Sequence, residues 1–193
     1  MAEVVLYHHA QGLTEGVKAF ADELRQAGHT VHLPDMYVGQ TFDTLDEGLG
    51  YAKRTGFGTV RDRGIAAVDG LGDALVYAGF SLGGMPAQQL AQTRAGARGA
   101  LLFHVCIPVS EFGEVWPAGV PVQVHGMDAD PFFTEEGGDL DAARALVDST
   151  DQAELFIYPG KEHFFADSSL PSYDEAAAAL LMRRTLSFLE EIR

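Results

Sequence analysis

Gly79-Phe80-Ser81-Leu82-Gly83-Gly84 constrains this chain more than any other stretch. It follows the apolar run Ala74-Leu75-Val76-Tyr77-Ala78 and leads into a segment of helical character from Leu82. The order is therefore strand, sharp turn, helix. A serine in such a turn is held in a strained backbone conformation, and Gly79 and Gly83 leave the room that neighbouring Cβ atoms would fill. The turn lifts the Ser81 hydroxyl clear of the sheet. The helix that follows aims its free N–H groups and positive dipole end at the same spot, where negative charge develops on an attacked carbonyl oxygen. A glycine-rich turn with an incidental serine has the same letters, so the remaining chain must decide.

Strand and helix alternate along it. Val4–His8 suits a buried parallel strand, followed by the loop His9-Ala10-Gln11-Gly12. Thr14 can cap a helix carrying Val17, Phe20, Ala21, Leu24 and Ala27, with Gly28 at its C′ position. His29–Asp35 reads as a second strand ended by Pro34. From Met36 to about Gly58 glycines and aspartates break the pattern, and only short helical pieces are expected. A helical stripe over Val60–Leu71 leads into the strand before Ser81, and Pro86 deprives the helix after it of one bond. Strands are expected at Gly99–Cys106, Val120–Gly126 and Glu154–Gly160, with a helix over Asp139–Val147. Ser172-x-x-Glu175 forms a capping box before a last helix lined by Leu181, Thr185, Phe188, Leu189 and Ile192. This predicts a single α/β domain over residues 1–193, a doubly wound, mainly parallel sheet of about six strands.

Composition excludes other classes. With 13 Lys+Arg against 28 Asp+Glu the formal charge is −15, which repels phosphate backbones and anionic membrane surfaces, so neither nucleic acid nor membrane is expected as partner. No run approaches the roughly 18 apolar residues of a spanning helix. The start, Met1–Leu6, has no basic leader, and one cysteine permits no internal disulfide, so a cytoplasmic location is expected. Oligomeric state is not legible.

In open parallel sheets reactive groups collect beyond the carboxyl ends of the strands. Three segments supply them here: Ser81, then Asp128 and Asp130, then His163. A serine hydroxyl needs an imidazole to take its proton and a carboxylate to orient that imidazole. The order Ser, Asp, His is that of the α/β-hydrolases, and the turn at Ser81 matches their nucleophile elbow. Ser81, Asp130 and His163 are the catalytic candidates, with Asp128 competing for the acid's role. The backbone N–H groups of Leu82 and Ala10 are the candidate oxyanion donors. His9 either faces the pocket or satisfies loop backbone groups, and Phe164 is a second pocket candidate. Seven histidines raise the question of a metal, but no ligand spacing such as H-E-x-x-H occurs; no metal or cofactor is expected. Cys106 reads as a buried structural thiol.

With Gly79–Gly84, His125–Asp130 and Tyr158-Pro159-Gly160-x-x-His163-x-Phe165 in place, nearly the whole chain resembles the dienelactone hydrolase family. The family's acid lies five residues after a histidine, which falls on Asp130 when His125 is matched. The resemblance implies an α/β-hydrolase fold, here compact with little or no lid between Asp35 and Val60. The named dienelactone hydrolases use a cysteine nucleophile, a nearby glutamate and arginines that clamp a substrate carboxylate. Here Ser81, His9 and, after the histidine, Asp167 stand at those positions. The resulting expectation is a cofactor-independent serine hydrolase acting on a small-molecule ester, lactone or thioester. The alternatives are a carboxymethylenebutenolidase like the named enzymes, and a non-catalytic or acyl-transferring member of the fold. Asp167 and the net charge point to a substrate uncharged near the scissile bond, unless Arg54, Arg61 or Arg63 reaches the pocket.

Overall fold

The computed structural model describes residues 1–192. Its strands are β1 (Glu3–Tyr7), β2 (Thr30–His32), β3 (Leu75–Phe80), β4 (Gly99–Phe103), β5 (Val122–Met127) and β6 (Ala153–Tyr158). They form one sheet in the order β2-β1-β3-β4-β5-β6, and every neighbouring pair is parallel. The helices are α1 (Glu15–Gln26), α2 (Leu45–Thr55), α3 (Phe57–Ala66), α4 (Gly84–Thr93), α5 (Asp139–Ser149) and α6 (Glu175–Glu191).

Alternation along the strands divides the core in two. Val4, Leu6, Val76, Ala78, Leu101 and Phe103 cluster with Phe20 and Leu24 of α1 and Leu181 and Phe188 of α6. Val5, Tyr7, Leu75, Tyr77, Ala100 and Leu102 belong to a second cluster with Ala52, Val60, Leu90 and Leu146 from α2 to α5. Both faces are covered, which is why the strands read as nearly unbroken apolar runs. The chain steps from β1 outward to β2 and then returns to place β3 on the other side of β1. This reversal puts the loops after β1 and β3 side by side, at the crevice where doubly wound sheets bind ligands.

The structure departs from the sequence reading at several places. The segment expected to hold only short helical pieces contains the eleven-residue α2, capped by Thr44, whose side chain accepts the Glu47 N–H. Gly48 looks like a breaker but is buried, because a Cβ there would lie 1.9 Å from the Ala10 carbonyl oxygen. The chain before α2 docks on the loop after β1 through Phe42 N–H to Gln11 O and a Gly12–Thr41 bridge. Strand β4 stops at Phe103 because His104 takes φ = 61°, so Cys106 lies in the following loop, still buried. Asp174, not Ser172, caps α6 and accepts the Ala177 N–H, while the Ser172 hydroxyl donates to Phe164 O. Pro86 is the third residue of α4, where the backbone N–H has no partner within the helix, so it removes no bond from it.

Gly83 is packed against β1: a Cβ would lie 2.6 Å from Tyr7 O and 2.7 Å from His8 O. Those are backbone atoms that cannot yield alone. Gly83→Ala is expected to destabilise by about 1–3 kcal/mol, as overpacking does. Gly58→Ala, which meets open space on α3, is expected to stabilise by a few tenths to about 1 kcal/mol. Urea unfolding of both variants checks the contrast.

Candidate active site

β3 ends at Phe80 and Ser81 turns into the left-handed region with φ = 46°. For a residue with a Cβ that strain is about 1–3 kcal/mol. Gly79 makes the turn possible, since a Cβ there would lie 2.2 Å from Gly83 O. Ser81 Oγ is 2.8 Å from His163 Nε2, and His163 Nδ1 is 2.6 Å from Asp130 Oδ2. A carboxylate only accepts, so Nδ1 carries the ring proton and the Nε2 lone pair faces the serine hydroxyl. Asp130 is fully buried, and its other oxygen accepts the Phe132 N–H at 2.9 Å. Asp128 is exposed and accepts the Gly160 N–H. Of the two carboxylates, Asp130 is the one that meets the imidazole.

Tyr7 pairs with Gly79 in the sheet, so the chains leaving β1 and β3 run together. Leu82 follows Ser81 directly, and Ala10 lies buried in the loop after β1. Among the described residues no backbone acceptor takes the Ala10 N–H.

His9 has no exposed surface. Its Nδ1 accepts the Gln11 N–H at 3.1 Å, which leaves the proton on Nε2 to donate to Asp167 Oδ2 at 2.8 Å. Of the two readings of His9, the ring satisfies loop backbone, and it also reaches a partner 158 residues away. Phe164, nearly buried, lies between His9 and His163 with ring centroids 4.2 and 4.7 Å away.

Asp167 corrects the sequence argument about charge. It does not stand free beside the base: it is buried and accepts from His9, from Thr14 Oγ1 at 2.5 Å and from the Ser169 hydroxyl and N–H at 2.6 and 2.8 Å. Burial pushes its carboxyl up, but the bonds from His9, Ser169 and Thr14 outweigh that and hold it at about 2. It is therefore a satisfied anion inside the loop and no part of a repulsive pocket wall. Of the arginines, Arg61 pairs with Asp62, and Arg63 donates to Met36 O.

Of the other histidines, His8, His104 and His125 are buried and His29 and His32 are partly exposed. His8 donates through Nδ1 to His9 O and accepts the Met36 N–H. His125 contacts the Tyr158 hydroxyl and Gln123. His104 packs edge-on against Phe165 with its centroid 5.7 Å from that of His163, and among the described residues neither ring nitrogen has a hydrogen-bond partner. Among the described residues no three His, Cys, Asp or Glu side chains are grouped to hold a metal ion. The Cys106 thiol is pushed up to about 12 by burial, which leaves it unreactive at neutral pH.

Sequence reasoning missed three anchors. Asp167 joins His9 across the fold. Asp139 Oδ1 accepts the Cys106 N–H, and buried Gln88 bonds both backbone groups of Ile107. The last two pin the loop after β4. Gln88 could have been suspected as a polar residue among the apolar positions Ala87, Leu90 and Ala91 of α4; the two aspartates left no periodic signal.

His8, His9, His104 and His125 are all lowered from the ordinary value, chiefly by burial, His8 to about 4 and His125 to about 3. Unfolded, they bind protons below about pH 6.5, so their share of stability is intact above that value and lost as pH falls. Asp139 is raised to about 6, again mainly by burial, and opposes this with one proton taken up by the folded state. The histidines outnumber the one opposing carboxyl, so net stability falls as pH drops below about 6. Urea midpoints should be flat from pH 7 to 8 and fall steeply below 6; a flat profile to pH 4.5 would show the histidines ionise within the fold.

Compared by sequence with curated proteins, the chain matches none. Its fold is shared with solved structures. A dienelactone hydrolase-like promiscuous phosphotriesterase, P91, from metagenomic libraries is 22% identical with a TM-score of 0.72, covering 100% of this chain and 87% of that one. Esterase PE8 is 19% identical with a TM-score of 0.66, covering 100% and 93%. A dienelactone hydrolase from Anabaena variabilis is 14% identical with a TM-score of 0.66, covering 99% and 86%. Among the described residues no helix is long and apolar enough to cross a membrane. The dienelactone hydrolase family profile matches residues 1–193, and the chain belongs to that family of α/β hydrolases.

Proposed function

We propose that this protein is a serine hydrolase that cleaves an ester, lactone or thioester of a small molecule through an acyl-enzyme. The observation that carries the reading is the continuous chain from Ser81 Oγ through His163 to Asp130, with contacts of 2.8 and 2.6 Å, on a left-handed serine. Ser81 Oγ attacks the carbonyl carbon while its proton passes to His163 Nε2. Negative charge moves onto the carbonyl oxygen, where the N–H groups of Leu82 and Ala10 receive it. The imidazolium, held by Asp130, then gives the proton to the leaving group as the carbon–oxygen or carbon–sulfur bond breaks. Water, deprotonated by the same imidazole, attacks the acyl-enzyme, releases the acid and restores Ser81.

Ser81→Ala is expected to lower kcat by roughly 10⁴- to 10⁶-fold on a p-nitrophenyl ester. A fluorophosphonate should label Ser81 and not Cys106, as peptide mapping will read. Asp130→Asn should lower kcat on the order of 10⁴-fold while Asp128→Asn has a mild effect; the reverse ranking would reassign the acid. Release of free acid, without transfer to added alcohols or amines, separates hydrolysis from acyl transfer. With Asp167 buried in its own bonds, a preference for uncharged substrates rests on the net charge of −15 alone. Comparing kcat/KM for a neutral short-chain ester and its ω-carboxylate analogue at two ionic strengths tests it.

A further inference from the structure

We propose that His9 and Asp167 are positioning residues: their buried pair locks the loop after β1 to the loop bearing His163, fixing oxyanion donor and base relative to one another. The proposal rests on the reading of Ser81, His163 and Ala10 given above.

His9 immediately precedes Ala10, and its ring proton is committed to Asp167 at 2.8 Å because Nδ1 is occupied by the Gln11 N–H. Asp167 lies four residues after His163, in a turn closed by its own N–H to Phe164 O. Between the two histidines Phe164 stacks flat on His9, with planes 17° apart, and leans on His163. A displacement of His9 would therefore move both the Ala10 backbone and the surface that supports the base.

The carboxylate end is held on several sides. Four donors from three residues on two loops converge on Asp167, and Gly16 approaches so closely that a Cβ there would overlap Oδ1. The start of α1 therefore presses on the carboxylate, a favourable place for negative charge. The titratable groups around His9 are Asp167, His163, His104 and His8, and among the hydrogen bonds of the described residues none of the other imidazoles supplies a competing acceptor to its ring: His8 meets only the His9 carbonyl and the Met36 N–H.

A mere staple for the fold would affect stability alone, whereas a positioning pair affects turnover through one specific donor. The test compares His9→Phe, His9→Gln and a remote control, Val122→Ala, at the opposite end of the sheet. Phe keeps the stack but lacks the donor; the Gln amide nitrogen reaches where Nε2 lies. His9→Phe should lower kcat on a p-nitrophenyl ester about 10- to 100-fold, the scale of a misplaced catalytic group, with KM within about threefold. Hydrogen exchange over residues 8–14 and 160–168 should quicken together. His9→Gln should restore both readouts to within about threefold of the parent. Should the Phe variant not fold, His9→Asn replaces it, since its carbonyl still accepts from Gln11 while its amide falls short of Asp167. The proposal is overturned if His9→Phe loses no more kcat than Val122→Ala, if only one loop loosens, or if Gln fails to restore. A parent protein that neither turns over esters nor labels at Ser81 removes the reading of Ser81 instead, and the exchange measurements still decide whether the two loops are locked.

Discussion

The parallel pairing of β1 with β3 is the contact on which the site depends. Because Tyr7 lies beside Gly79, the segment carrying Ala10 and the turn carrying Ser81 leave the sheet together, and neither could be brought there by a longer loop without the entropy of ordering it. The closeness has a steric condition. Gly83 touches the carbonyls of Tyr7 and His8, and Gly48 touches that of Ala10. At these positions glycine serves the approach of one backbone to another and not a turn, since neither has a positive φ.

Around that contact the protein buries polar groups in a fixed charge state. His8 and His9 are neutral rings whose tautomers follow from the backbone groups beside them, while Asp167 is an anion saturated by donors. A buried carboxylate without those donors would be strongly unfavourable. The polar residues at the strand ends are thus divided between a chain that can pass a proton, Ser81 to His163 to Asp130, and supports whose protons are already committed.

Much of this was legible because it is periodic or local. Val4 to Tyr7, Leu75 to Phe80 and Gly99 to Phe103 announce buried parallel strands by composition, and Gly79-Phe80-Ser81-Leu82-Gly83 announces its turn by steric necessity. Asp130 against Asp128 was open from the residues alone, since both stand on one loop; it is their orientation, one toward His163 and one toward Gly160, that separates them. Other features could not be read because their causes lie far away in the chain. Gly48 inside α2 looks like a breaker until Ala10 is placed against it. Asp167 looks like an unmatched negative charge until His9, Thr14 and Ser169 surround it.

His104 shows most clearly how tertiary structure overrides local pattern. Phe80 and Phe103 are the last paired residues of β3 and β4, and each is followed by a residue with positive φ, Ser81 at 46° and His104 at 61°. Two adjacent parallel strands therefore end in register with the same left-handed kink. Neither residue is glycine, so each carries strain of about 1–3 kcal/mol, and His104 adds two ring nitrogens that find no partner among the described residues. Cohesion of the aromatic layer beneath, where Phe80 packs on Phe103 and Phe20, offsets that strain. The kinks end the pairing of β3 with β4, while the His104 N–H still bonds to His125 O. Beyond it the chain from β4 is carried away by Gln88 and Asp139, and the turn after β3 presents Ser81 to the base.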